Sequence, residues 1–202
     1  MPKEKIYCFD FDGTITNKDT LLEFIRYARG NAKFFWGFLL FSPLLVLMKL
    51  HLYPNYRAKQ QLFSWYFKGM TEDEFNELCR HFARDNQDLL RQPAISRLKQ
   101  IDNAGDRILV VSASIDNWVR PFFDDLELQH VTVVGTQIEI SDGRVTGRFL
   151  THNCYGPEKV YRIAALLDKG RNLYDITAFG DSRGDKELLA YADHSFYKPF
   201  RR

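Results

Sequence analysis

Cysteine is scarce in this chain: there are three in 202 residues, Cys8, Cys79 and Cys154. An odd number without metal-type spacing excludes a disulfide framework and a cysteine zinc site, and fits a reducing cytoplasm. Excess charge is lacking too. The formal net charge is +2 at pH 7, so nothing electrostatic argues for a nucleic-acid partner. Internal repeats and low-complexity tracts are absent, which excludes a repeat array or a linker protein. The first five residues are polar and lead directly into an apolar run, so no leader sequence is expected. One stretch, 34–48, carries no charge, but it is shorter than the ~18–20 residues a bilayer span needs and Pro43 interrupts it. A membrane-crossing helix is not expected there. The length is enough for one well-buried α/β core plus a modest accessory unit.

The informative segment begins at Ile6. Residues 6–9 read as a buried parallel strand, and the strand runs into Asp10, Phe11, Asp12 and Gly13. Asp-Gly is ordinary turn chemistry. Two carboxylates at the carboxyl end of a buried strand also make a cation site and a nucleophile site. Three distant segments favour the chemical reading. Residues 108–114 form an apolar β-branched run ending at Ser112 and Ser114. Lys159 opens an amphipathic stretch introduced by Gly156 and Pro157. Residues 176–185 run through Gly180 to Asp181 and Asp185. Each alone has a plain structural explanation: a strand end, a solvated lysine, a helix cap. Together, at strand ends and helix starts, they supply a nucleophile, oxygen ligands, a hydroxyl and an ammonium.

Strands are expected over 5–10, 107–111, 131–135 and 175–179, and helices over 93–104, 115–126, 156–168 and 184–192. Such alternation implies an α/β fold with a doubly wound parallel sheet, which binds ligands beyond the carboxyl ends of its strands. Residues 136–150, turning at Asp142 and Gly143, read as a β-hairpin that extends this sheet. A short last strand is expected over 194–197 and a frayed tail over 199–202. The stretch 17–92 interrupts the sheet and is mostly helical. Thr71 to Glu74 starts a helix with a capping box, and Phe75, Leu78, Cys79 and Phe82 share one face. The apolar run 34–48, flanked by Arg26, Arg29, Lys33, Lys49, Arg57 and Lys59, reads equally as the core of this insertion or as a surface dipping into lipid headgroups.

The set of motifs resembles the haloacid dehalogenase superfamily, its phosphoserine phosphatase-like subfamily, and within that the branch of C-type phosphatidylglycerophosphate phosphatases. Asp10, Asp12, Gly13 and Thr14 match the first motif, Ser112 the second, Lys159 the third, and Gly180, Asp181 and Asp185 the fourth. The resemblance implies a Rossmann-like core over 1–16 and 93–202 and a small helical cap over 17–92 that closes on the site. It implies Mg²⁺-dependent hydrolysis of a phosphomonoester. Asp10 would be the nucleophile that becomes aspartyl-phosphate, and Asp12 would protonate the leaving oxygen and then activate water. Mg²⁺ would sit on the Asp10 carboxylate, the Asp12 main-chain carbonyl and Asp181, with Asp185 behind them. Ser112 and Lys159 would bind the phosphoryl oxygens within a turn shaped by Gly13 and Thr14.

Ser114 and Asp19 are candidates for reading the leaving group. Asp19 stands nine residues after the nucleophile, where the phosphoserine enzymes carry a Glu, so the charge is kept and the reach shortened. Two substrate classes follow. A lipid or amphipathic phosphate such as phosphatidylglycerophosphate suits the apolar stretch; contact through 34–53 would then hold the protein peripherally at the inner face of a membrane. A small soluble ester such as phosphoserine suits a small cap. A phospho-accepting signalling module shares the aspartate, hydroxyl and lysine, but lacks both an acid at the position of Asp12 and the insertion. Oligomeric state is not indicated.

Overall fold

The computed structural model describes residues 3–50 and 52–201; the side chain of Lys49, and Arg202 at the end of the expected tail, lie outside that description. In chain order the strands are β1 (Glu4–Phe9), β2 (Arg107–Ile115), β3 (Val131–Thr136), β4 (Ile138–Ser141), β5 (Arg144–Phe149), β6 (Tyr174–Gly180) and β7 (His194–Tyr197). The helices are α1 (Thr20–Lys49), α2 (Asn55–Phe67), α3 (Glu72–Asp85), α4 (Gln92–Asn103), α5 (Asp116–Val119), α6 (Pro157–Ala165) and α7 (Lys186–Tyr191). Five strands pair in parallel in the order β3-β2-β1-β6-β7. The chain winds outward from β1 to β3, then returns to build the other side. The carboxyl end of β1 is therefore a switch point, where the flanking connections diverge and leave a crevice.

Side-chain alternation explains why this sheet is covered on both faces. Ile6, Cys8, Leu109, Val111, Ile176 and Ala178 pack with Ile163 of α6 and Leu188 of α7. Phe9, Ile108, Val110 and Phe179 belong to the opposite cluster, with α4 and the inserted helices. Phe24 of α1 joins insertion to core, stacking on Trp118 at 4.9 Å and on Phe67 at 5.2 Å. The two crossings between insertion and core are laced together: Asn17 N donates to Leu89 O at 2.8 Å and Arg91 N to Ile15 O at 2.8 Å. The expected capping box opens α3, with Thr71 N donating to Glu74 Oε2 at 3.0 Å and Glu74 N to Thr71 Oγ1 at 3.3 Å.

Several expectations are corrected. The 136–150 hairpin does not extend the parallel sheet; β4 and β5 form a separate antiparallel pair. Its backbone partners lie in the insertion instead: Gly69 N donates to Val145 O, Val145 N to Met70 O, and Glu72 N to Gly143 O, at 2.8–2.9 Å. The 115–126 helix is α-helical only through Val119 and then tightens to a 3-10 turn over Arg120–Leu126, where Pro121 has no amide to donate. Over its described residues, 199–201, the tail is not frayed, because Phe200 packs on Phe179 at 5.6 Å and on Phe9 at 6.2 Å.

The largest difference concerns 34–48. Pro43 does not end α1; the Ser42 hydroxyl donates to Leu39 O at 2.8 Å, the carbonyl that the missing proline amide leaves without a partner. The break comes earlier, at Gly30 (φ 74°, ψ 164°), a conformation open to glycine. It divides α1 into arms at 20–29 and 31–49. Nor is the run an interior. By length and composition Thr20–Met48 is long and apolar enough to cross a membrane, and only 6% of its most apolar window is buried.

Candidate active site

The β1–β6 ladder continues one residue past β1, with Asp10 N donating to Phe179 O at 2.9 Å. The chain then bends through a wide turn over Phe11–Ile15, in which Gly13 adopts φ 79°. A Cβ there would lie 2.4 Å from Asp181 Oδ2, so glycine is required by conformation and by the closeness of the fourth loop. Asp10 is buried, and its carboxylate meets four groups. Thr14 Oγ1 donates to Oδ2 at 3.2 Å, and Lys159 Nζ donates to Oδ1 at 2.6 Å. Asp181 and Asp185 complete the arrangement: one carboxylate oxygen from each of the three acids lies within 4.8 Å of the others.

Lys159, from the first turn of α6, is 1% exposed and sits between two acids, 2.6 Å from Asp10 Oδ1 and 2.6 Å from Asp185 Oδ1. The remaining Asp185 oxygen accepts from Asp181 N, Ser182 N and Ser182 Oγ at 2.9–3.1 Å. Burial opposes every charge here, and the partners decide which survive. Burial works against the Lys159 ammonium, but the two carboxylates outweigh it and raise its pKa. Burial also works against the Asp185 carboxylate, yet Lys159 and the two amides hold it below its usual range. Asp10 has fewer donors. Burial pushes it up to about 7, against the pull of Lys159 and with Asp185 and Asp12 adding to the rise.

The pocket is buried and brings three carboxylates together, a set of hard oxygen donors that fits a divalent cation such as Mg²⁺. Each Asp10 oxygen accepts a single hydrogen bond, whereas Asp185 Oδ2 accepts three, so Asp10, with Asp181, is better placed to give an oxygen to a cation. The guanidinium of Arg201 also reaches Asp181.

Asp12 lies on the other side of the turn and is clamped. Thr20 N and Oγ1 donate to its Oδ1 at 2.7 and 2.6 Å, and Ser114 Oγ donates to Oδ2 at 2.6 Å. Trp118 Nε1 in turn holds Thr20 Oγ1 at 3.2 Å. Only the Thr20 amide is an obligate donor; each hydroxyl can reverse its role, so the carboxyl keeps its place whether or not it carries a proton. Ser112 is fully buried, 3.4 Å from Asp12 Oδ2, and accepts from Ser114 N at 3.0 Å. In this structure it supports Asp12 from below, whereas Ala113 lines the cavity. Ser114, a candidate for reading the leaving group, is buried beside Asp12.

A cavity of about 460 Å³ opens over Asp10, Asp12, Lys159 and Asp181. Beside it runs an apolar cleft of about 1070 Å³ walled by Leu22, Phe38, Leu45, Leu52 and Leu62. Asp19, Met48, Asn55, Lys59 and Tyr155 line both. Asp19 caps α1 by accepting from Leu21 N at 3.0 Å, and Asn55 Oδ1 is buried with no partner. Sequence reasoning passed over Thr20, Trp118, Asn55, Tyr155 and Arg201 as site residues, and treated Lys59 only as a flank. Thr20 carried a faint signal, as a hydroxyl residue at a helix start; the others carried none.

This geometry, with acids at a sheet switch point around a buried lysine, is that of a hydrolase of the haloacid dehalogenase type, and the chain belongs to the haloacid dehalogenase-like hydrolase family, which it matches over residues 8–190. Among curated proteins it is similar to protein CicA of Caulobacter vibrioides, with 32% identity over 200 residues, covering 97% of this chain and 86% of that one. A structure of a protein of unknown function from Bordetella pertussis Tohama I superposes with a TM-score of 0.80 at 20% identity, covering 96% of this chain and 89% of the other. A substrate-bound phosphoserine phosphatase complex superposes with a TM-score of 0.64 at 20% identity, covering 98% and 87%.

Proposed function

We propose that this protein is a Mg²⁺-dependent phosphomonoester hydrolase that works through an aspartyl-phosphate on Asp10, and that its substrate is a lipid or amphipathic phosphate. The observation that carries the chemistry is the buried Asp10–Lys159–Asp185 triad, with the clamped carboxyl of Asp12 opening on the same cavity. Asp10 and Asp181 would hold the Mg²⁺, which when bound offsets negative charge on the phosphate oxygens. Asp10 attacks phosphorus, and Lys159 counters charge on the transferring group. Asp12 gives a proton to the leaving oxygen and later takes one from the attacking water, its position fixed by Thr20 and Ser114. A carbon–halogen bond needs no such proton, so Asp12 favours ester chemistry.

The apolar cleft supports the amphipathic substrate. A soluble headgroup needs no apolar space of about 1070 Å³ next to its phosphate. Phosphatidylglycerophosphate, the substrate of the branch this sequence resembles, has an anion and an acyl portion that suit the two cavities. On this reading the protein acts peripherally at the inner face of a membrane. The soluble alternative rests on Asp19, whose carboxylate at the cavity mouth suits the ammonium of phosphoserine. Asp10→Asn should abolish Mg²⁺-dependent turnover of p-nitrophenyl phosphate while leaving circular dichroism unchanged; full activity in that variant refutes the mechanism. Phosphate release from phosphatidylglycerophosphate in detergent, set against phosphoserine, separates the substrate classes. Faster turnover of phosphoserine by orders of magnitude overturns the lipid reading.

A further inference from the structure

The second arm of α1 has two unlike faces. Inward, Phe41 packs edge-on against Trp65 at 6.1 Å and the Phe34 carbonyl accepts from Tyr66 Oη at 3.1 Å. Phe38, Leu45 and Met48 wall the apolar cleft. Outward, Phe35, Trp36, Leu39, Leu40, Val46 and Leu50 are each more than half exposed. Their spacing of three and four residues, one missed turn apart, makes them a single stripe along the helix. A monomer in water rarely leaves so long an apolar stripe uncovered.

Charge says what covers it. Residues 24–71 contain seven Lys and Arg and no Asp or Glu, in a chain whose net charge is only +2. A self-association surface gains nothing from carrying one sign of charge on both partners; an anionic lipid surface attracts it. The helix cannot cross that bilayer and keep this fold. Asp19, just before α1, and Met48, at its far end, line the same cavity with Asp10, so both ends of α1 lie on one side. The arm must lie along the surface.

We propose that the outer stripe of residues 35–50 seats in the headgroup layer of an anionic phospholipid bilayer, and that the cleft between this arm and α2 is a lateral portal from that layer to Asp10. Leu52 marks the portal, since it is strongly exposed and also walls the cleft. A phosphomonoester with acyl chains then moves sideways into the cleft with its chains still covered, and its phosphate comes to rest past Met48, Asn55 and Lys59. The portal rests on the amphipathic substrate reading above; the docking does not.

The test is co-sedimentation with vesicles of phosphatidylcholine alone and of phosphatidylcholine with phosphatidylglycerol, using the full chain and Trp36→Glu/Leu40→Glu. Wild type should bind the anionic vesicles and be released by salt, and the double variant should bind about tenfold more weakly or worse. Turnover of p-nitrophenyl phosphate should be equal in both, while hydrolysis of a vesicle-borne phosphatidylglycerophosphate should fall at least about tenfold in the variant. Asp10→Asn should still bind vesicles, so loss of chemistry and loss of docking are read separately. Equal vesicle binding by wild type and double variant overturns the docking. So does a wild-type dimer in light scattering that becomes monomeric in the variant and never binds lipid. Undiminished hydrolysis of the vesicle-borne ester by the variant overturns the portal.

Discussion

Lys159→Met gives the sharpest test of the electrostatic account. Methionine approximately preserves the volume of the side chain and removes only its charge and its donors. The ammonium is 1% exposed and holds two carboxylates at 2.6 Å each, so its loss leaves two buried acids without a counter-charge. Breaking a buried ion pair from one side costs about 3–5 kcal/mol, and the penalty here should be pH-dependent. Without Lys159, Asp185 titrates above its unfolded value of about 3.9, and Asp10, already pushed up to about 7, rises further. The native state then binds more protons than the unfolded state across that window, and stability falls as pH rises. Each carboxyl so affected contributes up to about 1.4 kcal/mol per pH unit between its unfolded and folded pKa. Guanidinium unfolding at pH 5 and pH 8 should therefore show a small difference from wild type at the lower pH and a large one at the higher. Mg²⁺ should recover part of the loss at pH 8, because a dication restores the missing charge. A pH-independent difference, or one under about 1 kcal/mol at pH 8, would refute the reasoning, because the acids would then not depend on Lys159.

Other outcomes follow from single contacts. Thr20→Val removes one of the two Thr20 donors to Asp12 Oδ1; kcat should fall about 10- to 100-fold with KM little changed, because a positioned acid is displaced while phosphate binding is not. Asp102 accepts from Gln129 N and His130 N at 2.7–3.2 Å. Burial opposes its charge, but these amides and the His130 ring lower its pKa. Asp102→Asn should cost about 1–3 kcal/mol at pH 7. Because the folded pKa is depressed, that stabilisation is present above the unfolded value and lost as pH falls through the folded one, so the two proteins should converge in acid denaturation. A constant difference down to acid pH would count against the assignment.

The reach of the sequence varied with how local the cause was. Asp10, Lys159, Asp181 and Asp185 were legible as candidates because each sits at a strand end or helix start, and a doubly wound sheet collects those places on one edge. Whether a strand end faces the crevice or lies beneath it was not legible. Ser112 and Ser114 are two residues apart on β2, and their hydrogen bonds to Asp12 depend on how the turn at Gly13 tilts that carboxyl toward β2. Thr20 and Trp118 are 98 residues apart and meet only because Phe24 stacks between insertion and core. The 34–48 run was ambiguous for a different reason. An apolar segment reads alike whether neighbours or lipid will cover it, and only the antiparallel course of α2 shows which face was left bare. The hairpin was recognised, but strand pairing is decided by whichever free backbone edge lies nearest, here Gly69 to Glu72 rather than β3.

That pairing alters how the site can open. Among the described residues, backbone hydrogen bonds stitch the helical insertion to the rest of the molecule in two places, between 15–17 and 89–91 and along residues 143–145. A lid hinged at its entry points alone would have to tear the second seam on every turnover, at a cost in backbone hydrogen bonds that water only partly returns. A moving lid must carry β4 and β5 with it and flex at Gln137, which follows β3, and at Leu150, which leads toward α6. Cross-linking the hairpin to α2 should then leave the catalytic cycle free, whereas pinning it to β3 should stall it.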